Sequence, residues 1–180
     1  MGRGTPYLSI VAVTRNDDHG GDSLGRLQVF VNGIAEQSHL YGLTSELILV
    51  EWNPPQDRPR LAEAVQWPNE QGCCDVRIIE VPGRVHQRFK YAQALPLFQM
   101  AGKIVGIRRA KGTYVLCTNI DILFSEQLIR FLASGRLREG RYYRVNRHDV
   151  LAQLEVLKKH EDRSAYCREH TIRICSRNAV

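Results

Sequence analysis

Apolar positions in this chain fall into short unbroken runs alternating with longer periodic stretches. Leu8 to Val13 (Leu-Ser-Ile-Val-Ala-Val) is nearly continuous, the pattern of a strand covered on both faces, and a polar loop from Thr14 to Asp22 follows it. From Ser23, a residue suited to an N-cap, Leu24, Leu27, Val31, Ile34 and Ala35 recur at helical spacing to about Gln37. Glu46 to Val50 reads as a second strand, stopped by Pro54-Pro55, and a short helix over 60–65 leads to a third strand, Val76 to Val81, closed by Pro82-Gly83. Residues 87–111 contain Pro96 and predict two helical pieces or one kinked one, with Leu95, Phe98, Ile104, Val105 and Ile107 inward and Gly112 ending the second piece. Tyr114 to Thr118 is a fourth strand, central and buried, and Ser125 caps a helix with Leu128, Ile129 and Leu132 toward the core. Tyr142 to Val145 reads as a further strand and Val150 to His160 as an amphipathic helix with a Glu155–Lys159 pair. Strands alternating with helices give an α/β fold with a mostly parallel sheet.

At 180 residues and 43% hydrophobic, the chain suits one domain that buries about 70% of its unfolded surface. Its longest apolar runs fall far short of the roughly 20 residues that span a bilayer. The N-terminus has no apolar leader core, and Pro6 stands where a myristoylation signal takes Ser or Thr, so a cytoplasmic location is expected. Five cysteines, two of them adjacent, argue against a disulfide framework. His160, Cys167, His170 and Cys175 match no standard zinc spacing. The net charge of +6 is uneven: +1 over residues 1–125 and +5 over 126–180. A basic third of this kind suits a solvated face, with a membrane-peripheral association as its compatible variation; no nucleic-acid partner is expected.

Polar groups collect at the strand ends. Thr14, Arg15, Asn16 and Asp17 follow the first strand, Glu51 and Asn53 the second, and Asn119 and Asp121 the fourth. Asn119 and Asp121 are two apart, so in an extended backbone they point the same way. In open α/β sheets ligands bind beyond these carboxyl ends, and paired oxygen groups there suit a hydrated divalent cation and a diphosphate. Asp17, Asp18, His19 and Asp22 also cluster, but in a loop with Gly20 and Gly21 they read as solvent-exposed. Asp121 followed by Ser125 has a plain alternative as turn and cap chemistry. No Walker A sequence, HExxH, G-x-S-x-G or G-x-G-x-x-G is present, which removes P-loop hydrolysis, zinc proteolysis, esterase chemistry and a Rossmann dinucleotide fingerprint.

The order of these motifs resembles the nucleotide-sugar half of glycosyltransferase family 2, with its glycosyltransferase-A fold. Val13-Thr14-Arg15-Asn16 is similar to the family's opening strand and Thr-x-Asn loop, and Leu49-Val50-Glu51 to its second strand with an acidic end. Val105 to Gly112 is similar to the end of its Asn-x-Gly-x-x-x-Ala-x-Gly helix, and Asn119-Ile120-Asp121 stands at its Asp-x-Asp. The resemblance covers roughly residues 7–147 and implies a three-layer α/β/α nucleotide-diphospho-sugar transferase fold over residues 1–147. Residues 148–180 then form a charged helical segment, the start of a truncated acceptor half. It further implies a UDP- or GDP-linked sugar as donor, Mn²⁺ or Mg²⁺ on Asp121, and transfer with inversion to a glycan or other acceptor hydroxyl. Thr14, Arg15, Asn16, Glu51, Asn53, Arg109 and Asn119 would hold the nucleotide sugar. The sequence departs from the family in having Asn119 for an acid and Arg15 where an aromatic often stacks. It also has no clear counterpart of the acidic base, for which Glu161, Asp162 and Glu169 are only helix-end acids. A nucleotide-sugar-binding module without transfer activity is the alternative.

Overall fold

The computed structural model describes residues 4–68, 73–151 and 160–176. Two compact units divide the chain, Met1–Phe124 and Ser125–Val180. The helix expected over Val150 to His160 falls mostly on 152–159, which with its Glu155–Lys159 pair lies outside the described residues; Val150 itself ends a strand.

The first unit runs β1 (Leu8–Thr14), α1 (Ser23–Leu40), β2 (Ser45–Trp52), α2 (Leu61–Ala64), β3 (Cys74–Val81), α3 (Gly83–His86), α4 (Gln99–Ile107) and β4 (Tyr114–Cys117). Its four strands form an all-parallel sheet in the order β3-β2-β1-β4. Helices flank this sheet, as the alternating pattern predicts. β1 and β2, the two central strands, are buried at every position, which is why their sequences are continuous rather than alternating in polarity. β4 is an edge strand instead of a central one, so Cys117 is exposed and not buried.

One side of the sheet presents Val11, Val13, Ile48, Val50 and Trp52, and Phe98, Ala101 and Val105 pack against them. α4 approaches through its glycines. A Cβ at Gly102 would come within 2.6 Å of Val13 Cγ1, and one at Gly106 within 2.4 Å of Val11 Cγ1. Because the glycine face is the one that touches the sheet, with Val105 beside it, the isoleucines of α4 turn outward. Ile104 and Ile107 are 54% and 42% exposed, and Leu95 is exposed as well, against the expectation that they face inward. Gly112 does not end a helix; α4 stops at Ile107, and Gly112 lets the chain pass β1, where its N–H donates to Ser9 Oγ at 2.8 Å. Pro96 lies in turns before α4 and so kinks nothing. Those turns carry Phe89 and Phe98, stacked at 5.0 Å and both edge-on to Trp52.

α1 starts one residue earlier than its sequence suggests: Asp22, at φ 42°, caps it by accepting from Gly25 N. Phe30 and Gln37 of α1 hold the segment after β4, through an edge-on ring contact with Phe124 and a 3.0 Å bond from Gln37 Nε2 to Phe124 O.

The second unit contains α5 (Glu126–Ala133), β5 (Arg147–Val150), α6 (His160–Glu169) and β6 (Thr171–Cys175). Ser125 caps α5 by accepting from Leu128 N, and Ile129 and Leu132 are buried. The strand expected at Tyr142–Val145 is absent there; Tyr142 is 91% exposed, and pairing begins at Arg147, opposite Cys175. The antiparallel β5–β6 pair is pinned by Asp149, which accepts from Arg147 and Arg173. A strand needs a partner, and Thr171-Ile-Arg-Ile-Cys175 supplies it to Arg147–Val150. No helix among the described residues is long and apolar enough to cross a membrane.

Candidate functional site at the carboxyl edge of the sheet

Strand order reverses between β1 and β4, the position where a crevice opens in open α/β sheets. β4 is level with β1 only as far as Cys117, which pairs with Val11, while β1 continues to Thr14. Thr118 N–H still donates to Val11 O at 3.0 Å, and the chain then leaves the sheet through Asn119, Ile120 and Asp121. Asn119 Oδ1 accepts two bonds from α4, from Gln99 Nε2 at 2.9 Å and from Lys103 Nζ at 3.0 Å. Asp121 faces α1, with Arg26 at 3.9 Å and both side chains partly exposed. Arg26 is itself aimed by the loop after β1, donating to His19 O at 2.8 Å and to Asp22 O at 3.4 Å.

The loop that leaves β1 is tied down from within. Thr14 is buried. Arg15 donates to Asn53 O at 2.6 Å and to Asp17 Oδ2 at 2.9 Å, which joins the ends of β1 and β2. Asn16 is 1% exposed; its Nδ2 donates to Pro59 O, and its Oδ1 accepts nothing from the described residues. Asp17 accepts from His19 N, Asp18 from Ser23 N and Asp22 from Gly25 N, so these acids close the loop and the helix cap.

Glu51 is level with Thr14 and Glu80 across the sheet, yet it is 1% exposed and both its oxygens accept from Leu61 N, the first residue of α2. Burial dominates its ionisation and raises its pKa; the bond from Leu61 and the charge of Arg60 oppose that shift, while Glu80 and Glu63 add to it. Asn53 takes a left-handed backbone, φ 47°, and its side chain donates to Pro96 O at 3.2 Å. A cavity of about 410 Å³ opens beyond β1, β2 and β3, lined among others by Arg15, Asn53, Arg60, Glu80, Arg84 and Gln87. Arg60 donates to Glu80 at 3.2 Å across its wall.

Arg109 lies at the other edge. α4 runs against the strands, from Gln99 beside Asn119 to a C-terminal end where Arg77 donates to Arg109 O at 3.1 Å and Lys111 N donates to Glu46 at 2.6 Å. Thus the structure brings Arg15 and Asn53 to the cavity and Asn119 and Asp121 to the β1/β4 reversal. Thr14, Asn16 and Glu51 are buried, and Arg109 stands apart at the opposite edge of the sheet. Lys103 and Arg26 are the residues that sequence reasoning missed. Gln99 and Lys103 are four apart and share a helix face, a signal visible once Asn119 is placed beside that face.

The donor set suits the divalent ion of the resemblance poorly. Asp121 offers one carboxylate and faces a guanidinium, and the Asn119 oxygen already accepts from an ammonium and an amide, whereas hard cations bind where several anionic or carbonyl oxygens converge. In the second unit, Asp162 and Glu169 are exposed on α6, and the side chain of Glu161 lies outside the described residues. Comparison with protein-family models finds no match, and comparison with curated proteins finds none either.

Proposed function

We propose that the first unit is a nucleotide-sugar-binding domain of the glycosyltransferase-A type, a three-layer nucleotide-diphospho-sugar transferase fold that resembles family 2. The diphosphate of a UDP- or GDP-linked sugar lies over Asn119 and Asp121, and its nucleoside reaches toward Arg15, Asn53 and the adjoining cavity. One observation carries this reading: Asn119 and Asp121 stand at the reversal of strand order, beside β1, where an open parallel sheet offers its ligand crevice. Charged and amide side chains around the cavity support it, since a nucleoside is recognised through hydrogen-bonding edges.

In the transfer, an acceptor hydroxyl oxygen bonds to the anomeric carbon while the bond from that carbon to the diphosphate oxygen breaks. The leaving electron pair departs with the diphosphate, the hydroxyl proton passes to a general base, and the anomeric centre inverts. Positive groups at the crevice stabilise the charge that develops on the leaving group. Binding without transfer is the second reading. It is favoured by the engagement of the edge acids: Glu51 with Leu61 N, Asp17 with Arg15, Asp18 with Ser23 N, and Glu80 with Arg60.

Titration calorimetry of the whole chain with UDP and with GDP tests the binding step. Saturable binding of at least one is expected. Heat no greater than dilution for both, with and without Mn²⁺, overturns the proposal.

A further inference from the structure

At the β1/β4 reversal the charge balance is opposite to that of a metal site. Two cations, Lys103 from α4 and Arg26 from α1, converge on one carboxylate and one neutral amide. Neither cation is consumed by its contact. Lys103 donates to a neutral oxygen, and the 3.9 Å separation of Arg26 from Asp121, with side chains 32% and 45% exposed, is the outer limit of an ion pair in a setting where water screens it. Both heads are nonetheless aimed. Asn119 holds the Lys103 ammonium, and the carbonyls of His19 and Asp22 hold the Arg26 guanidinium. Asn119 in place of an acid then has a physical reason, since an aspartate there would neutralise Lys103.

Resting on the nucleotide-sugar reading above, we infer that Lys103 and Arg26 bind the diphosphate directly, with Asn119 orienting Lys103 and the carbonyls of His19 and Asp22 orienting Arg26, so that nucleotide binding requires no divalent metal. A guanidinium offers a planar fork of donors that matches two phosphate oxygens, and an ammonium adds a compact charge. Coming from helices on either side of the strand reversal, they straddle the place where a diphosphate lies. During transfer the same pair faces the negative charge of the departing diphosphate.

The test is calorimetry of the full chain with UDP and GDP, in EDTA and again with Mn²⁺, for wild type, Lys103→Met, Arg26→Met and Asp121→Asn. All three substituted side chains are partly exposed, and circular dichroism with thermal melts verifies that each variant folds. The expected result is an affinity in EDTA within about twofold of that in Mn²⁺. Lys103→Met and Arg26→Met should each lose about tenfold, equivalent to about 1.4 kcal/mol. Asp121→Asn should bind more tightly than wild type in EDTA, because it removes a negative charge beside the phosphates while His19 O and Asp22 O still hold Arg26. Binding that requires Mn²⁺ and disappears in Asp121→Asn would overturn the inference and leave the nucleotide reading standing. Absence of binding under every condition would overturn both.

Discussion

Lys103 Nζ lies 3.0 Å from Asn119 Oδ1, and that oxygen also accepts from Gln99 at 2.9 Å. Asn119 is therefore an acceptor saturated by N–H groups of α4, and its neutrality leaves the lysine's charge available. Asn119→Asp should pair with Lys103 and cancel it. The expected outcome is nucleotide affinity in EDTA reduced about tenfold, equivalent to about 1.4 kcal/mol and near the lower end of what one charge-assisted contact contributes, with part of it restored by Mn²⁺. Unchanged affinity in EDTA would show that Lys103 does not touch the ligand.

Gly106 is a packing residue. Its added Cβ would sit 2.4 Å from Val11 Cγ1 and 3.3 Å from Val50 Cγ2, both in the buried centre of the sheet. Gly106→Ala gains helix propensity of about 1 kcal/mol, but overpacking of this kind costs about 1–3 kcal/mol, and the contact here is at the severe end. Net destabilisation of about 1–2 kcal/mol is expected in urea unfolding. A variant as stable as wild type would mean that α4 rides farther from the sheet.

Two buried glutamates should respond to acid in opposite senses. Burial works against the charge of Glu46, but bonds from Ser9 Oγ, Lys111 N and Arg77, with the Arg77 charge, outweigh it and hold its pKa below the ordinary 4.5. Its ionisation thus stabilises the fold above 4.5, and that contribution is lost as pH falls through the depressed value. Glu51 is raised above 4.5 by burial, so its contribution is present below 4.5 and is lost as pH rises through the raised value. Glu46→Gln should therefore cost most at neutral pH and least in acid. Glu51→Gln should gain relative to wild type as pH rises. Urea midpoints measured across pH 3–8, a range set about the ordinary carboxylate values, check both, and parallel curves for all three proteins would contradict the assignment.

Trp52 and His86 share a buried bond. Trp52 Nε1 donates to His86 Nδ1 at 2.9 Å, which places the His86 proton on Nε2, 2.9 Å from Ala92 O. His86→Ala should strand the indole N–H and open a void among Trp52, Phe89 and Phe98, for a loss of about 2–4 kcal/mol. Urea unfolding followed by tryptophan fluorescence reads this directly. A loss under about 0.5 kcal/mol, the size of an ordinary surface change, would contradict it.

The two central strands of the first unit were legible because a strand buried on both sides is nearly all apolar, as Leu8–Val13 is. Sequence could also place Asn119 and Asp121 beyond the last strand of the sheet. What it could not supply was the face of α4. Periodicity assigned Ile104 and Ile107 inward, whereas the close approach of Gly102 and Gly106 turned them out and brought Gln99 and Lys103 to Asn119. The bond from Leu61 N to Glu51 was equally hidden, since it joins the end of β2 to the start of α2 ten residues on. In the second unit, β5 depends on β6, a partner more than 20 residues away, and local pattern favoured the aromatic Tyr142–Val145 instead.

The most direct test of a ligand crevice at the β1/β4 reversal is an amide nitrogen–proton correlation spectrum of the labelled chain, titrated with UDP and GDP in EDTA. The account predicts saturable shifts centred on Arg15, Asn53, Lys103, Asn119 and Asp121, with little change at Arg109. Shifts confined to Ser125–Val180, or none anywhere, would contradict it.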